Sequence, residues 1–320
     1  MKILVTGGLG LIGHNVVARL EQLGHDVVIF DTRTTYGIVP QDELDYLMRE
    51  RQKKIKTRQI WPIDIASDEA YQMISSHGAD VVMHLASFPR QKVVNANPQL
   101  GSRTMSQGLL NLLEASVRGK VKRFMYVSSS MVYGDFTDDV TEDYACRPQG
   151  QYGIMKYAGE LLVKDYTRKH GMAHTIIRPS AVYGPLDVED RVIAKFMLQA
   201  MRGETLKVNG PDETLDFTYV EDAADGFVAA ALSDVTANKT YNITKSHSRT
   251  LLEAAELAVK IVGKGSIEVR GKDADFPSRG ALNIDAARRD FGYDPKVDVE
   301  EGFQKYYEWL STSPYWQSKI

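Results

Sequence analysis

The chain has 320 residues, of which 43% are hydrophobic and 25% charged, a composition typical of a globular protein with ample core material. The net charge of −3 argues against nucleic acid as a partner, and the only cysteine, Cys146, excludes an intramolecular disulfide and a cysteine-based zinc site. The seven histidines show no metal-ligand spacing, so we expect no metal. Without a signal-like or membrane-spanning apolar run, we expect a cytoplasmic protein with no membrane partner.

Short β-branched runs alternate with longer segments of helical periodicity in the first half of the chain. The predicted strands are Lys2–Thr6, Asp26–Phe30, Ile60–Ile63, Asp80–Leu85, Arg123–Val127 and His174–Ile177. The predicted helices between them include Leu11–Leu23, Leu109–Val117 and Tyr152–Tyr166. This alternation predicts an α/β fold with a doubly wound parallel sheet of the Rossmann type.

A highly charged insertion, residues 36–57, interrupts this rhythm after the second strand. We interpret it as a solvated helix on a loop, with a partner-binding element as the alternative.

After Arg178 the pattern changes to a smaller, mixed α/β arrangement. Its predicted elements are helix Val192–Arg202, strands Leu206–Val208 and Phe217–Val220, and helix Leu251–Val262, while Asp222–Leu232 reads as a helix that returns to the main sheet. We therefore predict a dinucleotide-binding domain of residues 1–178 with about 216–242, and a C-terminal substrate domain of about 179–215 with 243–320.

The first strand leads into a glycine-rich turn and a helix. Gly7 permits a tight turn, Gly10 lets the backbone approach a pyrophosphate, and Gly13 lets the helix pack closely on the strand. The helix that begins at Leu11 and Ile12 would direct its free N–H groups at the phosphates. The turn predicts a bound dinucleotide.

Asp31 ends the second strand, 18 residues after Gly13. A carboxylate there accepts hydrogen bonds from ribose hydroxyls and repels a 2′-phosphate, which favours NAD over NADP. Arg33 could bind a 2′-phosphate, so NADP remains the less favoured alternative, and a purely structural capping role for Asp31 also remains open.

Tyr152 and Lys156 lie four residues apart, on one face of a predicted helix. An ammonium near the phenol would lower the tyrosine pKa, so that Tyr152 could accept a hydroxyl proton as hydride leaves the same carbon. Upstream, a serine run, Ser128–Ser130, follows a predicted strand, at the sheet edge where ligands bind. The order of these features predicts a hydride-transfer site.

Together these motifs resemble the extended short-chain dehydrogenase/reductase family, in its nucleotide-sugar epimerase and dehydratase branch. The resemblance is carried by Thr6-Gly-Gly-Leu-Gly-Leu-Ile-Gly13, Asp64-Ile65, His84-Leu-Ala-Ser87, Arg178-Pro-Ser-Ala-Val-Tyr-Gly-Pro185 and Asp216-Phe-Thr-Tyr-Val-Glu-Asp222. It implies a catalytic set of Ser129, Tyr152 and Lys156. It further implies cofactor contacts from Asp64, Ile65, Leu85, Ala86, Ser87 and Pro179, and a homodimer built on helices Ser102–Val117 and Tyr152–Arg168.

The chain departs from this family at positions that meet the substrate. In the 4,6-dehydratases an Asp-Glu acid/base pair follows the catalytic hydroxyl, whereas here Ser130 and Met131 stand in the substrate-facing positions, which argues against dehydration. Other expected polar contacts are replaced by Leu215, Ala181, Met105 and the segment 275–280. These changes put a UDP-hexose substrate in doubt.

Four cations could replace the lost contacts to an anionic substrate, because guanidinium and ammonium groups suit phosphate. They are Arg90, Lys92, Arg191 and Arg279, each of which could instead be a surface or helix-terminal charge. We expect His84 to be structural and Cys146 to be an inert loop residue.

The leading hypothesis is an NAD-dependent nucleotide-sugar 4-epimerase that works through a transient 4-keto sugar. The alternatives are a dehydrogenase or reductase of a nucleotide-linked sugar, with net redox change, and a redox-inactive regulatory protein that binds NAD.

Overall fold

The computed structural model describes residues 1–88, 90–272 and 277–320. Its strands are β1 Lys2–Thr6, β2 Asp26–Phe30, β3 Ile60–Trp61, β4 Val81–His84, β5 Arg123–Val127, β6 Ala173–Pro179, β7 Val182–Tyr183, β8 Thr205–Asn209, β9 Thr214–Asp216, β10 Thr218–Tyr219, β11 Lys239–Ile243, β12 Ser248–Thr250 and β13 Ser266–Arg270. Its helices are α1 Leu11–Gln22, α2 Gln41–Lys53, α3 Asp68–His77, α4 Gln91–Ala96, α5 Pro98–Ser102, α6 Gly108–Arg118, α7 Gly150–His170, α8 Val192–Met201, α9 Val220–Leu232, α10 Leu251–Val262, α11 Asp285–Phe291, α12 Val299–Thr312 and α13 Pro314–Gln317. A π-helical turn, Arg103–Gln107, joins α5 to α6.

The central sheet has seven strands in the order β3-β2-β1-β4-β5-β6-β11, and every neighbouring pair is parallel. Strands such as β1 are almost wholly buried because helices cover both faces, which explains their continuous apolar runs. The strand order reverses between β1 and β4, and ligands of such sheets bind at the carboxyl ends of the strands at this point. The predicted doubly wound parallel sheet is confirmed.

Two apolar layers enclose the sheet. The layer on one face contains residues of α1 and α9, and the layer on the other contains residues of α3 and α6. A separate core lies among α8, α10, α12 and β8, all of which follow β7 in the chain. Because α11 packs against β11 and α9, the chain after Ile243 contributes to both regions.

Two predicted strands differ from the structure for local reasons. The strand predicted over Ile60–Ile63 stops at Trp61, because Pro62 has no N–H with which to continue pairing to β2. The strand predicted over Phe217–Val220 is reduced to β10, since only two residues pair with β7 and Val220 already begins α9. The edge strand β11 was not predicted.

Of the interpretation of residues 36–57 as a solvated helix on a loop, the helix is confirmed, but the expectation that it is solvated was wrong for one of its faces. The helix is present as α2, but Glu43, Leu44, Leu47 and Arg51 on it are buried. The spacing of the two leucines and the arginine places Arg51 on the apolar face of the helix, so it enters the protein with them.

Candidate active site

The glycine-rich turn between β1 and α1 has the geometry that a pyrophosphate requires. Gly7 adopts φ +71°, and a Cβ there would lie 2.7 Å from the backbone nitrogen of Ala86. A Cβ at Gly13 would lie 2.1 Å from the carbonyl oxygen of Gly7, so only glycine lets α1 pack this closely on the turn. Gly10 precedes α1 without a side-chain cap, so the first N–H groups of the helix can bind an anion.

Asp31 lies beside this turn. Its carboxylate accepts hydrogen bonds from the backbone N–H groups of Leu9, at 2.9 Å, and Arg33, at 2.8 Å. Burial raises the pKa of Asp31, and the two hydrogen bonds oppose that rise. Asp31 therefore fixes the conformation of the turn, and its remaining lone pairs can accept hydrogen bonds from ribose hydroxyls. Leu11 and Ile12 form the first turn of α1, half-buried.

Asp64 and Ile65 lie at the same edge of the sheet, after β3. Asp64 accepts hydrogen bonds from Arg103, at 2.9 Å, and from its own loop. Ile65 is buried, and a Cβ on Gly108 of α6 would lie 2.8 Å from its side chain. This close contact holds the apolar wall beside Asp64, the position implied for the adenine of the dinucleotide.

Leu85, Ala86 and Ser87 directly follow β4, the strand that pairs with β1, and therefore lie beside the turn. The Thr6 hydroxyl accepts a hydrogen bond from the Ala86 N–H at 3.2 Å and contacts Nδ1 of His84 at 2.8 Å. Burial lowers the pKa of His84 to about 3, so its imidazole is neutral at pH 7. The expectation that His84 is structural is confirmed by this burial and this bond.

The structure brings Ser129, Tyr152 and Lys156 together at the carboxyl end of β5. Ser129 follows β5, and its hydroxyl lowers the pKa of the Tyr152 phenol. Lys156 lies one helical turn after Tyr152 on α7, with its Nζ 5.8 Å from the centroid of the Tyr152 ring. A Cβ on Gly153 would lie 2.7 Å from the carbonyl oxygen of Met131, so the glycine lets α7 lie directly on the segment after Ser129.

Lys156 is held away from solvent. Its ammonium donates a hydrogen bond to the carbonyl oxygen of Val127, at 2.8 Å, and lies 5.3 Å from the centroid of the Tyr126 ring. Burial lowers the pKa of Lys156 to about 7, and the nearby Glu160 carboxylate opposes this. The ammonium is therefore only partly charged near neutral pH.

Two arginines and the Ser129 hydroxyl act on the Tyr152 phenol. Burial raises the pKa of the phenol, and Arg191, the hydrogen bond from Ser129, and Arg279 lower it. Lys156 was expected to supply this effect. That effect stays a prediction: the Lys156 Nζ lies 5.8 Å from the centroid of the Tyr152 ring and donates a hydrogen bond to the carbonyl oxygen of Val127.

Ser130 and Met131 are both buried. The Ser130 hydroxyl donates to the Ser180 hydroxyl at 3.2 Å, and the Met131 N–H donates to the Ser129 hydroxyl oxygen at 3.2 Å. Neither side chain can act as an acid or base. The positions that would hold a dehydration pair thus shape and orient the site instead.

The candidate substrate cations have different surroundings. Arg90 forms an ion pair with the Asp190 carboxylate and donates to the Asp190 carbonyl oxygen at 2.9 Å, so its guanidinium fixes the loop before α8. Arg191, the residue before α8, and Arg279 both act on Tyr152. The Nε of Arg279 is buried and has no hydrogen-bond partner among the described residues. These two arginines are the candidates whose charge lowers the pKa of the tyrosine.

Behind the site, Arg178 and Glu160 form a fully buried ion pair, at 2.6 Å. Arg178 also donates to the Tyr133 hydroxyl at 2.9 Å. Although burial lowers the pKa of Arg178, the bond to Glu160 raises it above its usual value. The pair ties β6, which ends at Pro179, to the catalytic helix α7.

The remaining departures from the family pattern have local explanations or none. Leu215 in β9 packs against the C-terminal core, and Met105 in the π-helical turn is buried against Phe88. Ala181 adopts φ +35°, a region that asparagine tolerates better than alanine, and nothing in the structure explains the alanine. The replaced segment 275–280 begins at Asp275, which lies outside the described residues.

Cys146 is half-buried beside the cluster that contains Tyr133, and burial raises the pKa of its thiol. A thiol with a raised pKa is a poor acid–base group and a poor nucleophile near neutral pH. Across residues 1–88, 90–272 and 277–320, no three His, Cys, Asp or Glu side chains are grouped as metal ligands. Over the same ranges, no helix is long and apolar enough to cross a membrane.

Comparison with known proteins places these features in a family. The NAD dependent epimerase/dehydratase family matches residues 3–244. An uncharacterized UDP-glucose epimerase of Bacillus subtilis, YtcB, is 28% identical over 98% of both chains, and UDP-glucuronic acid decarboxylase 6 of Arabidopsis thaliana is 31% identical over 94% of this chain and 86% of its own. Trifunctional dehydratase/epimerase/reductase proteins of the same plant are also similar, and the chain spans 48% of their length.

Among solved structures, UDP-glucuronic acid 4-epimerase from Bacillus cereus, in complex with UDP-glucuronic acid and NAD, superposes with a TM-score of 0.89. It is 27% identical, over 97% of this chain and 99% of its own. The fold and the site therefore define an NAD-dependent enzyme of the short-chain dehydrogenase/reductase type. The chain belongs to the NAD dependent epimerase/dehydratase family, whose members include epimerases, dehydratases and decarboxylases of nucleotide sugars.

The geometry of this chain fits its cofactor, NAD. The turn at Gly7 and Gly13 leaves no room for a Cβ, the N-terminus of α1 is uncapped, and Asp31 presents a carboxylate beside the turn. A carboxylate at that position favours the ribose of NAD over a 2′-phosphate. Arg33 donates its backbone N–H to Asp31.

Proposed function

We propose that this protein is an NAD-dependent nucleotide-sugar epimerase that inverts C4 of the sugar through a transient 4-keto sugar. The observation that carries the proposal is the complete set of Ser129, Tyr152 and Lys156 without any carboxylate beside it at positions 130 and 131. Such a site can move a proton and a hydride, but it has no acid/base pair with which to expel water or add it.

The proposed cofactor contacts come from the elements already described. They are Gly7, Gly10, Leu11, Ile12, Gly13, Asp31, Asp64, Ile65, Leu85, Ala86, Ser87, Tyr152, Lys156 and Pro179. When bound there, NAD would supply an acceptor and donor of hydride for the sugar carbon. The protein's task is then to take the hydroxyl proton and to return it.

Tyr152 takes the proton of the sugar 4-hydroxyl in this proposal. Ser129, whose hydroxyl lowers the pKa of the phenol, can bond to the same sugar oxygen and hold it in place. Because burial raises the pKa of Tyr152, a positive charge near the phenol is needed for it to act as a base. Arg191 and Arg279 provide that charge.

The same two arginines lead us to propose an anionic group on the substrate near Tyr152. A guanidinium with an unpartnered buried Nε, as at Arg279, is stabilised by an anion that accepts its hydrogen bond. We propose that residues 179–215 and 243–320, apart from α11, form the substrate-binding part of the protein. A nucleotide diphosphate bound there would place its sugar against Tyr152.

The test is to incubate the enzyme with UDP-, GDP-, CDP- and dTDP-sugars and to follow C4 stereochemistry by NMR. We expect inversion with at least one of them, and a loss of about 10²–10⁴-fold in rate in Tyr152→Phe at unchanged NAD affinity. The absence of inversion with every sugar, despite bound NAD, would reject the proposal. Turnover with stoichiometric NADH formation would instead establish net redox chemistry, and binding without turnover would establish a regulatory role.

We also propose that the protein is a homodimer that pairs through α5, α6 and α7. Large apolar side chains are exposed on these helices: Leu100, Leu110, Ile154 and Leu161 are 42%, 38%, 52% and 51% exposed. Helix α5, the π-helical turn and α6 follow one another without a break, so this segment and α7 from each chain would bury these side chains in a four-helix interface.

Sedimentation equilibrium tests the dimer. We expect twice the chain mass of 35.8 kDa for the wild type and a monomer for Leu161→Glu, because a charge in the proposed interface would be desolvated. Val235→Glu is the matched control, since Val235 is 52% exposed on a distant short helix. A wild-type mass of one chain would contradict the proposal.

A further inference from the structure

Arg51 of α2 connects the two halves of the active site. It is 3% exposed, and its guanidinium donates one hydrogen bond to the carbonyl oxygen of Leu9, at 2.9 Å. The same group donates two hydrogen bonds to the carbonyl oxygen of Leu186, from Nε at 3.2 Å and from Nη2 at 2.6 Å. One side chain thus holds two backbone segments that are distant in the chain.

Leu9 is the central residue of the glycine-rich turn. Its N–H donates to the Asp31 carboxylate at 2.9 Å, and its carbonyl oxygen accepts from Arg51. Both polar groups of this residue are therefore bonded to charged side chains, which sets the orientation of the turn that faces the dinucleotide phosphates. A displacement of the Leu9 carbonyl oxygen must therefore also displace the Arg51 guanidinium that is bonded to it.

Leu186 begins the loop of residues 186–191, between β7 and α8, which ends at Arg191. Leu186 is buried at φ +70°, a backbone conformation that a bulky side chain adopts only when its surroundings impose it. Arg51 is the group that bonds to this strained residue. The position of the loop, and with it that of Arg191, depends on that contact.

A second hydrogen bond also joins α2 to the loop. The Glu43 carboxylate accepts a hydrogen bond from the N–H of Glu189 at 2.8 Å, and Glu43 is 1% exposed. The charges around the Arg51 guanidinium include Asp187 of the loop and Asp31 of the turn. The helix from the charged insertion is therefore bonded to the loop at two points and to the turn at one.

We propose that Arg51 is a positioning residue that couples the dinucleotide-binding turn to the 186–191 loop, so that NAD binding orders the loop that carries Arg191. The physical reason is that a rigid, planar guanidinium transmits a displacement of one carbonyl to the other. Ordering of the turn by the dinucleotide fixes Leu9, and this fixes Arg51 and Leu186 in turn. The coupling needs only bound NAD, so it can be tested, and can fail, independently of the proposed sugar reaction.

Hydrogen–deuterium exchange with and without saturating NAD tests the coupling. In the wild type we expect NAD to slow exchange in the turn around Leu9 and, by about fivefold or more, in the amides of residues 187–191. In Arg51→Met the slowing at 187–191 disappears, while that in the turn persists. Arg49→Met, an exposed arginine on the same helix, behaves as the wild type.

The difference made by NAD, and not the absolute exchange rate, is the measured quantity, because a purely structural role would raise exchange equally with and without NAD. Arg51→Lys keeps the buried charge if the methionine variant does not fold, and we expect it to lose most of the slowing, because one ammonium cannot reproduce the fork to both carbonyls. The proposal would be overturned if NAD did not change the exchange rate at residues 187–191 in the wild type, or if NAD slowed that exchange equally in the Arg51 variants.

Discussion

Gly13→Ala should weaken NAD binding through a contact that the structure defines closely. The added Cβ would lie 2.1 Å from the carbonyl oxygen of Gly7 and 2.8 Å from Cα of Gly8, where real Cβ contacts below 3.0 Å are essentially never seen. The turn must therefore move by about 1 Å, an overpacking that costs about 1–3 kcal/mol. The same movement strains the hydrogen bond from the Gly10 N–H to the Gly7 oxygen, now 3.0 Å, which adds about 1 kcal/mol.

The total penalty of about 2–4 kcal/mol is shared between folding and binding, and if all of it fell on binding, the Kd for NAD would rise about 30- to 1000-fold. Isothermal titration calorimetry measures the binding share, and urea unfolding measures the folding share. Gly271→Ala is the control, because a Cβ there has nothing within 4 Å. If Gly13→Ala bound NAD within about threefold of the wild type and unfolded at the same urea concentration, the steric argument would be refuted.

Two further predictions concern buried charge and pH. Glu160→Gln leaves the Arg178 guanidinium buried without its partner, so we expect urea unfolding to show a loss of about 3–5 kcal/mol, whereas Asp165→Asn, in an exposed ion pair on the same helix, should cost far less; equal losses would contradict this reasoning. For His84, whose folded pKa of about 3 lies below the ordinary value of 6.5, the unfolded chain binds the extra proton as pH falls below 6.5. The wild type should therefore lose about 1.4 kcal/mol per pH unit relative to His84→Asn between pH 6.5 and about 4, and a pH-independent difference would show that the imidazole titrates normally.

The cofactor half of this protein could be predicted because its signals are local. The conformations at Gly7 and Gly13 and the strand-to-helix order depend on neighbours within a few residues, and glycine spacing records them directly. The sheet strands of the first half were predicted nearly to the residue, since buried parallel strands require continuous apolar runs. The predicted end of one strand, Ile60–Ile63, was wrong because Pro62 stops the pairing.

The substrate half could not be predicted in the same way, because its arrangement depends on contacts between distant segments. The charge on residues 36–57 indicated a solvated helix, but whether Arg51 faces water or the carbonyl oxygens of Leu9 and Leu186 is decided only when three parts of the chain meet. Likewise, only the fold shows that Lys156 bonds to a backbone carbonyl and that the charge of Arg191 lowers the pKa of Tyr152.

The sequence by itself therefore determined the parallel sheet apart from its edge strand β11, the dinucleotide turn and the order of the catalytic residues, because each depends on short-range spacing and on side-chain chemistry that is the same in any surroundings. The tertiary structure alone decided which cations face Tyr152, which are bound to loops and which charged helix is buried. These outcomes depend on desolvation and on partners that are 39 to 135 residues away, such as Tyr152 for Arg191 and Leu186 for Arg51, and no local pattern encodes them.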